Sequence, residues 1–486
     1  MLFNSIEFLL FLPIVFFLYW KVFCNTVQMQ NLLLIIASYV FYAWWDWRLL
    51  FLLIFSTVFV FYVGLQMSKS KNGDKRKWWL RFGVVVSIGL LCFFKYYNFF
   101  VESWVDAWGV FGIKFNPLVL KILLPVGISF YTFHGLSYII DIHNKRINAT
   151  DNIINYALFV AYFPLLVAGP IERATHLLPQ LERKRVFQYE QGVEGLRLVV
   201  WGLFKKIVIA DTLAIPVNDI FSDFSNQMGT NLVLGAIYFA IQVYADFSGY
   251  TDVARGVSKL FGIELLLNFN FPYFSKTIPE FWNRWHISLS SWLNDYVYTP
   301  LALQYRNLKK WGIYLAILVT FLISGFWHGA GWHFIIWGAL HGLYYFPTVI
   351  LSGKRFKSLV GSGGKTVGEK LRIRDLPSVF LTFSLVSFAL IFFRAPDVFS
   401  SIGYAKRMFL DIIQHPGQLF LLPKSYSYLF YVFLILAIDL IKYFKFNPFN
   451  ETKHIYWNAA ADVILIFTTI SYLFRVDSAS FIYFQF

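Results

Sequence analysis

The sequence predicts an all-α, polytopic integral membrane protein with about 11–13 transmembrane helices, plus re-entrant or amphipathic helices. Of its 486 residues, 58% are hydrophobic and only 14% are charged, whereas soluble chains carry about 25% charged residues. The mean hydropathy is +0.57. Aromatic residues make up 21% of the chain, as expected where Trp and Tyr form interfacial belts. This composition excludes an ordinary soluble enzyme, a disordered protein and a nucleic-acid-binding module.

Apolar runs of nearly membrane-spanning length recur along the chain. A spanning helix needs about 20 mostly apolar residues. Runs of this kind occupy 5–20, 30–45, 49–67, 80–100, 118–140, 194–212, 231–246, 312–327, 333–351, 377–394, 427–444 and 457–474. The first run has no basic residue before Lys21 and no small-residue cleavage site, so we expect a retained helix rather than a signal peptide.

One further run, 154–170, has basic residues on both flanks. Because Lys and Arg in short loops mark the cytoplasmic face, both of its ends lie on the same side of the membrane. A helix that crosses once cannot return to the same face. We therefore predict that 154–170 is a re-entrant or buried segment, packed against protein rather than lipid.

The distribution of basic residues predicts the topology. It assigns six basic stretches to the cytoplasmic side, namely 69–77, 143–146, 182–185, 306–310, 353–374 and 442–453. The stretches 101–118 and 213–230 are poor in Lys and Arg and fall outside, and both termini also come out on the external face. The exception is 395–426, which should be external but carries Lys406, Arg407 and Lys424. On this interpretation the net charge of +15 reflects topology rather than binding to a polyanion.

We expect a single membrane-embedded domain over 1–486, divided by composition into four parts. These are N-terminal helices (1–140), a core that holds the polar motifs (141–351), a basic cytoplasmic linker (352–376) and C-terminal helices (377–486). Two cysteines, Cys24 and Cys92, are too few for a disulfide framework. No internal repeat is visible, which argues against the inverted-repeat architecture of many transporters.

Polar residues inside a membrane are costly and usually functional, and the first such cluster is 281–294. Thr277, Pro279 and Glu280 precede it and are typical of a helix start. Helical spacing places Trp282, Trp285, Leu289, Trp292 and Tyr296 on one face, and Asn283, His286, Ser290 and Asn294 on another. We predict one amphipathic helix whose polar face lines a cavity. The alternative is an interfacial anchor with His286 facing water.

The second cluster is the Gly-rich break Ser324–His333 between two apolar runs. A neutral imidazole can accept a proton near pH 7, so His328 is the candidate general base. The alternative is a histidine that is hydrogen-bonded within a helix hairpin. We expect structural roles for His333, His341 and His134. The cluster lacks an H-E-x-x-H pattern and has no accompanying Glu or Cys, so we predict no metal site.

The third cluster contains Asp246, Ser248, Tyr250 and Asp252 at the inner end of a predicted span. Its carboxylates could bind an ion or a substrate cation, or could position a hydroxyl. Equally, Asp252 could pair with Arg255 in a network at the helix end. The sequence leaves both interpretations open.

In order along the chain, these segments resemble the membrane-bound O-acyltransferase family, in particular its bacterial alginate O-acetylase branch. The resemblance rests on Y-A-D-F-S-G-Y-T-D at 244–252, F-W-N-R-W-H-I-S-L-S-x-W at 281–292, S-G-x-W-H-G at 324–329, and F-I-Y-F-Q-F at 481–486. By this resemblance, His328 matches the family's catalytic histidine. His286 matches its second signature histidine, a place that is often Asn in the wider family.

The resemblance implies transfer of an acyl group, most simply acetyl, to hydroxyls of an exported, alginate-like polysaccharide. Acetyl-CoA would be a donor substrate, with no bound cofactor. A central tunnel would then be lined by Asn283, Trp285, Ser290, Trp327, Asp246, Ser248, Tyr250 and Asp252. A further implied partner is an external or membrane-tethered, SGNH-hydrolase-like protein that carries the acetyl group. The implied location is the bacterial cytoplasmic (inner) membrane.

Other functions stay open at this point. D-alanyl transfer and peptidoglycan O-acyl transfer fit the same motifs. An ion or substrate transporter could use Asp246, Asp252 and the histidines to line its path, and a polyprenyl-linked glycosyltransferase would need a more acidic external loop than 213–230. The acceptor, the acyl group and the choice between direct transfer and relay through a partner are not determined by the sequence.

Overall fold

The computed structural model describes residues 1–113, 120, 122–351, 371–417, 424–444, 455–473 and 481–482. Every regular element in these ranges is a helix and none is a β-strand, which confirms the predicted all-α class. The chain forms two compact units, Met1–Val199 with Asp252–Leu266, and Val200–Thr251 with Leu267–Phe486. The four-part division predicted from composition is a different partition and stays a prediction; most of its basic linker lies outside the described residues.

Most helices of the N-terminal half belong to the first unit, and the last two extend along the chain into the second. They are α1 (Ile6–Phe17), α2 (Val27–Ala43), α3 (Trp47–Lys69), α4 (Gly73–Gly109), α5 (Ile128–His143), α6 (Ile153–Ala161), α7 (Phe163–Ala168), α8 (Ala174–Glu182), α9 (Tyr189–Phe204) and α10 (Asp211–Ser222). Two π-helical turns, Leu18–Val22 and Lys205–Ala210, extend α1 and α9.

The later helices belong to the second unit, except that the first of them ends in the first unit. They are α11 (Gly229–Leu260), α12 (Ile278–Trp282), α13 (Ile287–Leu293), α14 (Thr299–Gln304), α15 (Lys309–His328), α16 (Trp332–Tyr344), α17 (Leu376–Arg394), α18 (Val398–Gln414), α19 (Leu429–Tyr443) and α20 (Ile455–Leu473). The core of this unit includes Tyr238 and Ile241 of α11, Trp337 of α16 and Leu390 of α17.

Six helical segments of the described chain are long and apolar enough to cross a membrane. They are Trp47–Lys69, Gly73–Gly109, Gly229–Leu260, Arg306–His328, Ile373–Arg394 and Ser425–Tyr443. Three shorter apolar helices, Val27–Ala43, Ile153–Leu166 and Ala460–Leu473, also coincide with predicted runs. The chain is therefore a multi-pass membrane protein, as the sequence predicted.

The predicted run 118–140 is wrong in its first part, as far as the structure describes it. Residues 122–127 are not helical, and α5 begins only at Ile128. Its N-cap, Gly127, has φ +75, and a Cβ there would lie 2.5 Å from the carbonyl oxygen of Leu166. Glycine adopts a left-handed conformation without a Cβ penalty, so backbone geometry sets this helix start although the apolar run is longer.

The segment predicted to be re-entrant or buried is indeed buried, from Asn155 to Leu166. It is not one helix, because the chain breaks between α6 and α7 at Tyr162. The amide of Phe163, freed by the break, donates a 3.0 Å hydrogen bond to the Ser38 hydroxyl of α2. Irregular backbone is tolerated at membrane depth when protein groups satisfy it in this way.

Helices α15 and α16 form a hairpin whose backbones touch at glycine. A methyl group on Gly325 would collide with the carbonyl oxygen of Phe334, and one on Gly338 with that of Phe321. A third glycine, Gly342, lies against the Leu318 side chain. Small residues allow close helix packing where lipid provides no hydrophobic driving force between helices.

Replacing Gly338 with alanine is expected to lower the free energy of unfolding by about 1–3 kcal/mol, because the added methyl overpacks a backbone contact. Thermal unfolding of the detergent-purified protein measures this. Gly89→Ala in α4 is the matched control, since a Cβ at Gly89 meets nothing within 4 Å. Equal unfolding midpoints for the two variants would contradict the close contact.

Candidate active site

His328 is the last residue of α15, where the hairpin turns through Gly329 towards α16. Its side chain is buried among three aromatic rings. The imidazole centroid lies 4.8 Å from Trp327, 4.9 Å from Trp337 of α16 and 5.2 Å from Phe393 of α17. Three helices therefore hold this imidazole in one apolar, ring-lined position.

His286 lies in a break between two short helices, which corrects the predicted single amphipathic helix over 281–294. The chain leaves α12 after Trp282 and re-enters a helix only at Ile287. His286 itself has φ 43 and ψ 52, a left-handed conformation. The shared polar face inferred from helical spacing is therefore wrong, although the predicted start is right, because Thr277 Oγ1 caps α12 by accepting from the Glu280 amide at 3.3 Å.

Tertiary hydrogen bonds explain the break. The amide of Asn270 donates to the Arg284 carbonyl at 2.9 Å, and the amide of Ile287 donates to the Asn268 carbonyl at 2.9 Å. These bonds replace the contacts that a continuous helix would make. A non-glycine residue in the left-handed region costs about 1–3 kcal/mol, and such strain is concentrated at functional sites.

The side chain of Asn268 orients His286. Its Oδ1 accepts from the Ser288 amide at 3.2 Å and from the Ser288 hydroxyl at 2.6 Å, which identifies this atom as the oxygen. The His286 Nδ1 lies 3.4 Å from the same oxygen. Nδ1 is therefore the protonated nitrogen, and Nε2 is the acceptor. Burial lowers the pKa of His286 to about 3, so the ring is neutral.

The structure brings His286 and His328 to one aromatic group. Both contact the indole of Trp327, at centroid distances of 6.1 Å and 4.8 Å.

The other two buried histidines that the structure describes hydrogen-bond to different groups. The Nδ1 of His341 accepts a 3.3 Å hydrogen bond from Trp282 Nε1. His134, in the other unit, accepts at Nε2 from the Glu172 amide at 3.1 Å. The structural roles expected for His341 and His134 are consistent with these bonds.

A cavity of about 350 Å³ is lined by residues that are neighbours of the two histidines along the chain. Asn283 and Ser290, both predicted to line a cavity, belong to its wall. Ile287, which follows His286, and Ser324, one helical turn before His328, line it as well. The Ser324 side chain is buried, and the described residues offer its Oγ no hydrogen-bond partner. His286 and His328 themselves are not among the residues that line this cavity.

Asp246 lies in a buried ion cluster of the second unit. Lys206 Nζ is 2.8 Å from Asp246 and 2.7 Å from Asp211, and all three side chains are at most 3% exposed. The second oxygen of Asp246 accepts from the Ile482 amide at 2.8 Å. This carboxylate thus joins α11, the π-turn after α9 and the segment 481–482.

The remaining predicted residues on α11 and around it have protein partners. Ser248 accepts from Lys205 Nζ at 2.9 Å, and the Tyr250 ring lies 4.4 Å from that of Phe481. Asp252 pairs with Arg255 at 3.5 Å, as the alternative interpretation of that cluster expected. Trp285 packs on Phe281 at 5.4 Å. Their tunnel-lining role stays a prediction.

Sequence reasoning missed Asn268, the hydroxyl of Ser324, and Lys206, which is the partner of Asp246. Asn268 lies in a non-helical stretch, with no motif around it. Lys206 is forty residues from Asp246 and lies within the predicted run 194–212. Among the described residues, no group of three or more His, Cys, Asp or Glu side chains is arranged to hold a metal ion.

Comparison with known proteins adds to this geometry. Residues 143–352 match the profile described as MBOAT, membrane-bound O-acyltransferase family. This range contains the cavity wall up to Tyr345 and both histidines on Trp327.

Individual relatives extend the match. The chain is 44% identical over 349 residues to a probable alginate O-acetylase, AlgI, of Pseudomonas aeruginosa, covering 71% of this chain and 65% of that protein, which is less than two thirds of its length. It is 34% identical over 442 residues to a peptidoglycan O-acetyltransferase of Helicobacter pylori, covering 84% and 80%. It is 28% identical over 228 residues to a teichoic acid D-alanyltransferase of Bacillus subtilis, covering 45% and 57%.

Proposed function

Because the chain belongs to the membrane-bound O-acyltransferase family, we propose that it transfers an acetyl group from acetyl-CoA to hydroxyls of an exported polysaccharide. The observation that carries this proposal is the placement of His328, buried at the end of a membrane-spanning helix and sharing the Trp327 indole with His286. A transporter does not require a histidine pair enclosed by aromatic rings, so this site favours chemistry over transport.

In the proposed reaction, the acceptor hydroxyl attacks the thioester carbonyl while His328 takes the hydroxyl proton. The carbon–sulfur bond of the resulting tetrahedral intermediate breaks. The imidazolium of His328 then returns its proton to the leaving thiolate, so that the products are an ester and a free thiol. The aromatic rings around His328 exclude water, which would otherwise compete with the acceptor hydroxyl.

His286 is proposed to orient or polarise the donor carbonyl. Its orientation is set by the left-handed backbone and by the hydrogen bond from Nδ1 to Asn268. A polarising group must donate a hydrogen bond, whereas the tautomer deduced above presents Nε2 as an acceptor. The neutral ring can therefore accept a hydrogen bond at Nε2 from an N–H or hydroxyl group of the substrate. This geometry supports an orienting role rather than a polarising one.

The cavity beside Ser290 and Ser324 is the proposed binding place for the acyl-bearing arm of the donor. Its volume of about 350 Å³ falls within the range of about 300–1,000 Å³ found for small-molecule sites. Its wall mixes apolar side chains with hydroxyl and amide groups, which suits a flexible chain that carries both methylene and amide groups. The Ser324 hydroxyl supplies one hydrogen-bonding group that no described residue uses.

Filling this cavity is expected to raise the KM for acetyl-CoA. Thr320 lines the cavity, and its hydroxyl donates within its own helix, with Oγ1 2.7 Å from the Ala316 carbonyl oxygen. Thr320→Phe should raise KM by roughly tenfold, equivalent to about 1.4 kcal/mol of lost binding, with a smaller change in kcat. Steady-state kinetics measure both constants, and Thr320→Ser is the control. An unchanged KM would exclude the cavity as the donor site.

An alginate-like polymer is the proposed acceptor, since a probable alginate O-acetylase shares 44% identity with the chain. Peptidoglycan is the second candidate, because the Helicobacter pylori match extends over 84% of the chain. The bacterial relatives support placement in the cytoplasmic membrane. An external or membrane-tethered, SGNH-hydrolase-like protein is proposed as the carrier that passes the acetyl group to the polymer.

The test uses purified protein in liposomes with acetyl-CoA labelled in the acetyl group. Alginate oligosaccharides, peptidoglycan fragments and teichoic acid are offered in parallel, each with and without the candidate carrier protein. We expect label on alginate oligosaccharides, and label on the carrier if transfer is relayed. Label on peptidoglycan alone would favour the second candidate. No labelled product in any arm, from protein that is folded by size-exclusion chromatography, would contradict acyl transfer.

A further inference from the structure

The first unit contains a buried cation that takes no part in the proposed reaction. Arg185 lies between α8 and α9 and is 7% exposed, whereas its neighbours Arg183 and Lys184 are exposed. The guanidinium therefore points into the protein from a stretch of chain that otherwise faces outward. Burying an ion is costly unless it is paired and hydrogen-bonded.

The described residues do not neutralise this guanidinium. Its Nη2 donates to Oδ1 of Asn31, and its charge lies over the Tyr19 ring, 5.6 Å from the centroid. Nε and Nη1 have no hydrogen-bond acceptor, and no ion pair joins Arg185 to an Asp or Glu in the described part of the chain. Both of its partners are neutral side chains.

These partners are fixed by other bonds and hold the guanidinium in place. The Asn31 amide nitrogen donates to Asn155 Oδ1 at 2.9 Å and to the Leu181 carbonyl at 2.8 Å, so its oxygen faces Arg185. The Tyr19 hydroxyl donates to the Phe261 carbonyl at 3.1 Å. The site is thus a cradle that encloses Nε and Nη1, whose N–H groups find no acceptor among the described residues.

The surroundings of Arg185 combine exposed cations with exposed apolar side chains. Arg183, Lys184 and Lys21 are exposed. Val186 is 66% and Tyr189 76% exposed, and Phe187 packs edge-on against Trp20 at 5.6 Å. Cationic side chains next to apolar and aromatic ones are typical of a surface at the lipid headgroup level. A phosphate group has several acceptor oxygens, and arginine is well suited to bind it.

We propose that Arg185 binds the phosphate of an anionic phospholipid. In this site the phosphate accepts hydrogen bonds from Nε and Nη1, and Phe187 and Tyr189 lie along the acyl chains. Lys184 and Lys21 add attraction for a negative headgroup. The lipid is a structural ligand of the first unit, so this proposal does not depend on acyl transfer.

The test is titration of delipidated protein in neutral detergent with dioleoylphosphatidylglycerol, followed by native mass spectrometry and thermal unfolding. Hydrogen bonds to a charged group are worth about 1.5–3 kcal/mol, so Arg185→Gln should weaken lipid binding roughly 10- to 100-fold and remove the lipid-induced rise in unfolding temperature. Arg183→Gln, an exposed arginine of the same stretch, is the matched control and should change binding by less than about fivefold.

Three results with the lipid or its analogues would overturn the proposal. The first is an unchanged lipid affinity in Arg185→Gln. The second is equal binding of dioleoylglycerol, which has the same chains but no phosphate. The third is that inorganic phosphate or adenosine 3′,5′-bisphosphate protects the protein as well as the lipid does, which would make the ligand a soluble phosphate rather than a lipid.

Folding of the variant is controlled separately. Without lipid, Arg185→Gln removes an uncompensated buried charge, so its unfolding temperature should equal or exceed that of the parent. A lower value together with an intact lipid response would assign Arg185 a packing role only and overturn the proposal. If the glutamine variant does not fold, Arg185→Lys keeps the charge with a different donor geometry, and at least about fivefold weaker lipid binding is expected.

Discussion

His328→Ala is expected to lower the rate of acetyl transfer by about 10²–10⁴-fold, the usual contribution of a positioned general base. The alanine removes the group proposed to take the hydroxyl proton, while Trp327, Trp337 and Phe393 remain around the vacated position. Transfer of label from acetyl-CoA by the purified variant measures the effect. Membrane abundance and the elution volume in detergent show whether the variant is folded.

His333→Gln is the matched control for this variant. His333 lies on the same hairpin, one residue into α16, but its ring packs on Phe334 at 4.2 Å and has no contact with Trp327 among the ring contacts described. Its activity should stay close to that of the parent. If His328→Ala, folded and at normal abundance, retained more than about a tenth of the parent rate, His328 would not be the base.

Lys206→Met is expected to lower the free energy of unfolding by about 3–5 kcal/mol, because it leaves buried carboxylates without their cation. Lys206 bridges Asp211 and Asp246 at 2.7 Å and 2.8 Å. Methionine has a similar length, so the loss is electrostatic rather than a matter of volume. Denaturant unfolding followed by tryptophan fluorescence measures this loss of stability. We also expect a lower yield of the variant when it is purified from membranes.

Two further variants separate the charge effect from packing. Lys206→Met combined with Asp211→Asn removes one of the carboxylates and should recover part of the stability, as a double-mutant cycle would show. Lys276→Met breaks the more exposed pair with Asp375, 2.8 Å apart, and should cost much less stability than Lys206→Met. A loss for Lys206→Met no larger than that for Lys276→Met would contradict a tightly coupled buried cluster.

Where hydropathy decides the structure, the sequence predicted it well. Runs such as 49–67 and 377–394 became α3 and α17, because a spanning helix must be apolar over its whole length. Helix α11 shows the limit of this signal. It was predicted to cover 231–246 but continues to Leu260, since 89% of its most apolar window is buried in protein rather than lipid. Polar residues beyond 246 therefore do not end it.

The candidate site was predicted in its residues but not in its geometry. The motifs around His286 and His328 identified both imidazoles, and the structure places them on one indole. Helical spacing failed between 283 and 286, because hydrogen bonds to the 268–270 segment replace the helix there. Such long-range bonds leave no periodic trace in a sequence. The same holds for the buried pair of Lys206 and Asp246.

The glycine contacts between α15 and α16 have a consequence for motion during turnover. Sliding or rotation of one helix against the other would drive carbonyl groups into the opposing backbone at Gly325 and Gly338. We therefore expect these helices to behave as one rigid body throughout the catalytic cycle. We expect gating of substrate access to fall to the opposite wall of the cavity, where the chain can hinge at the break between α12 and α13.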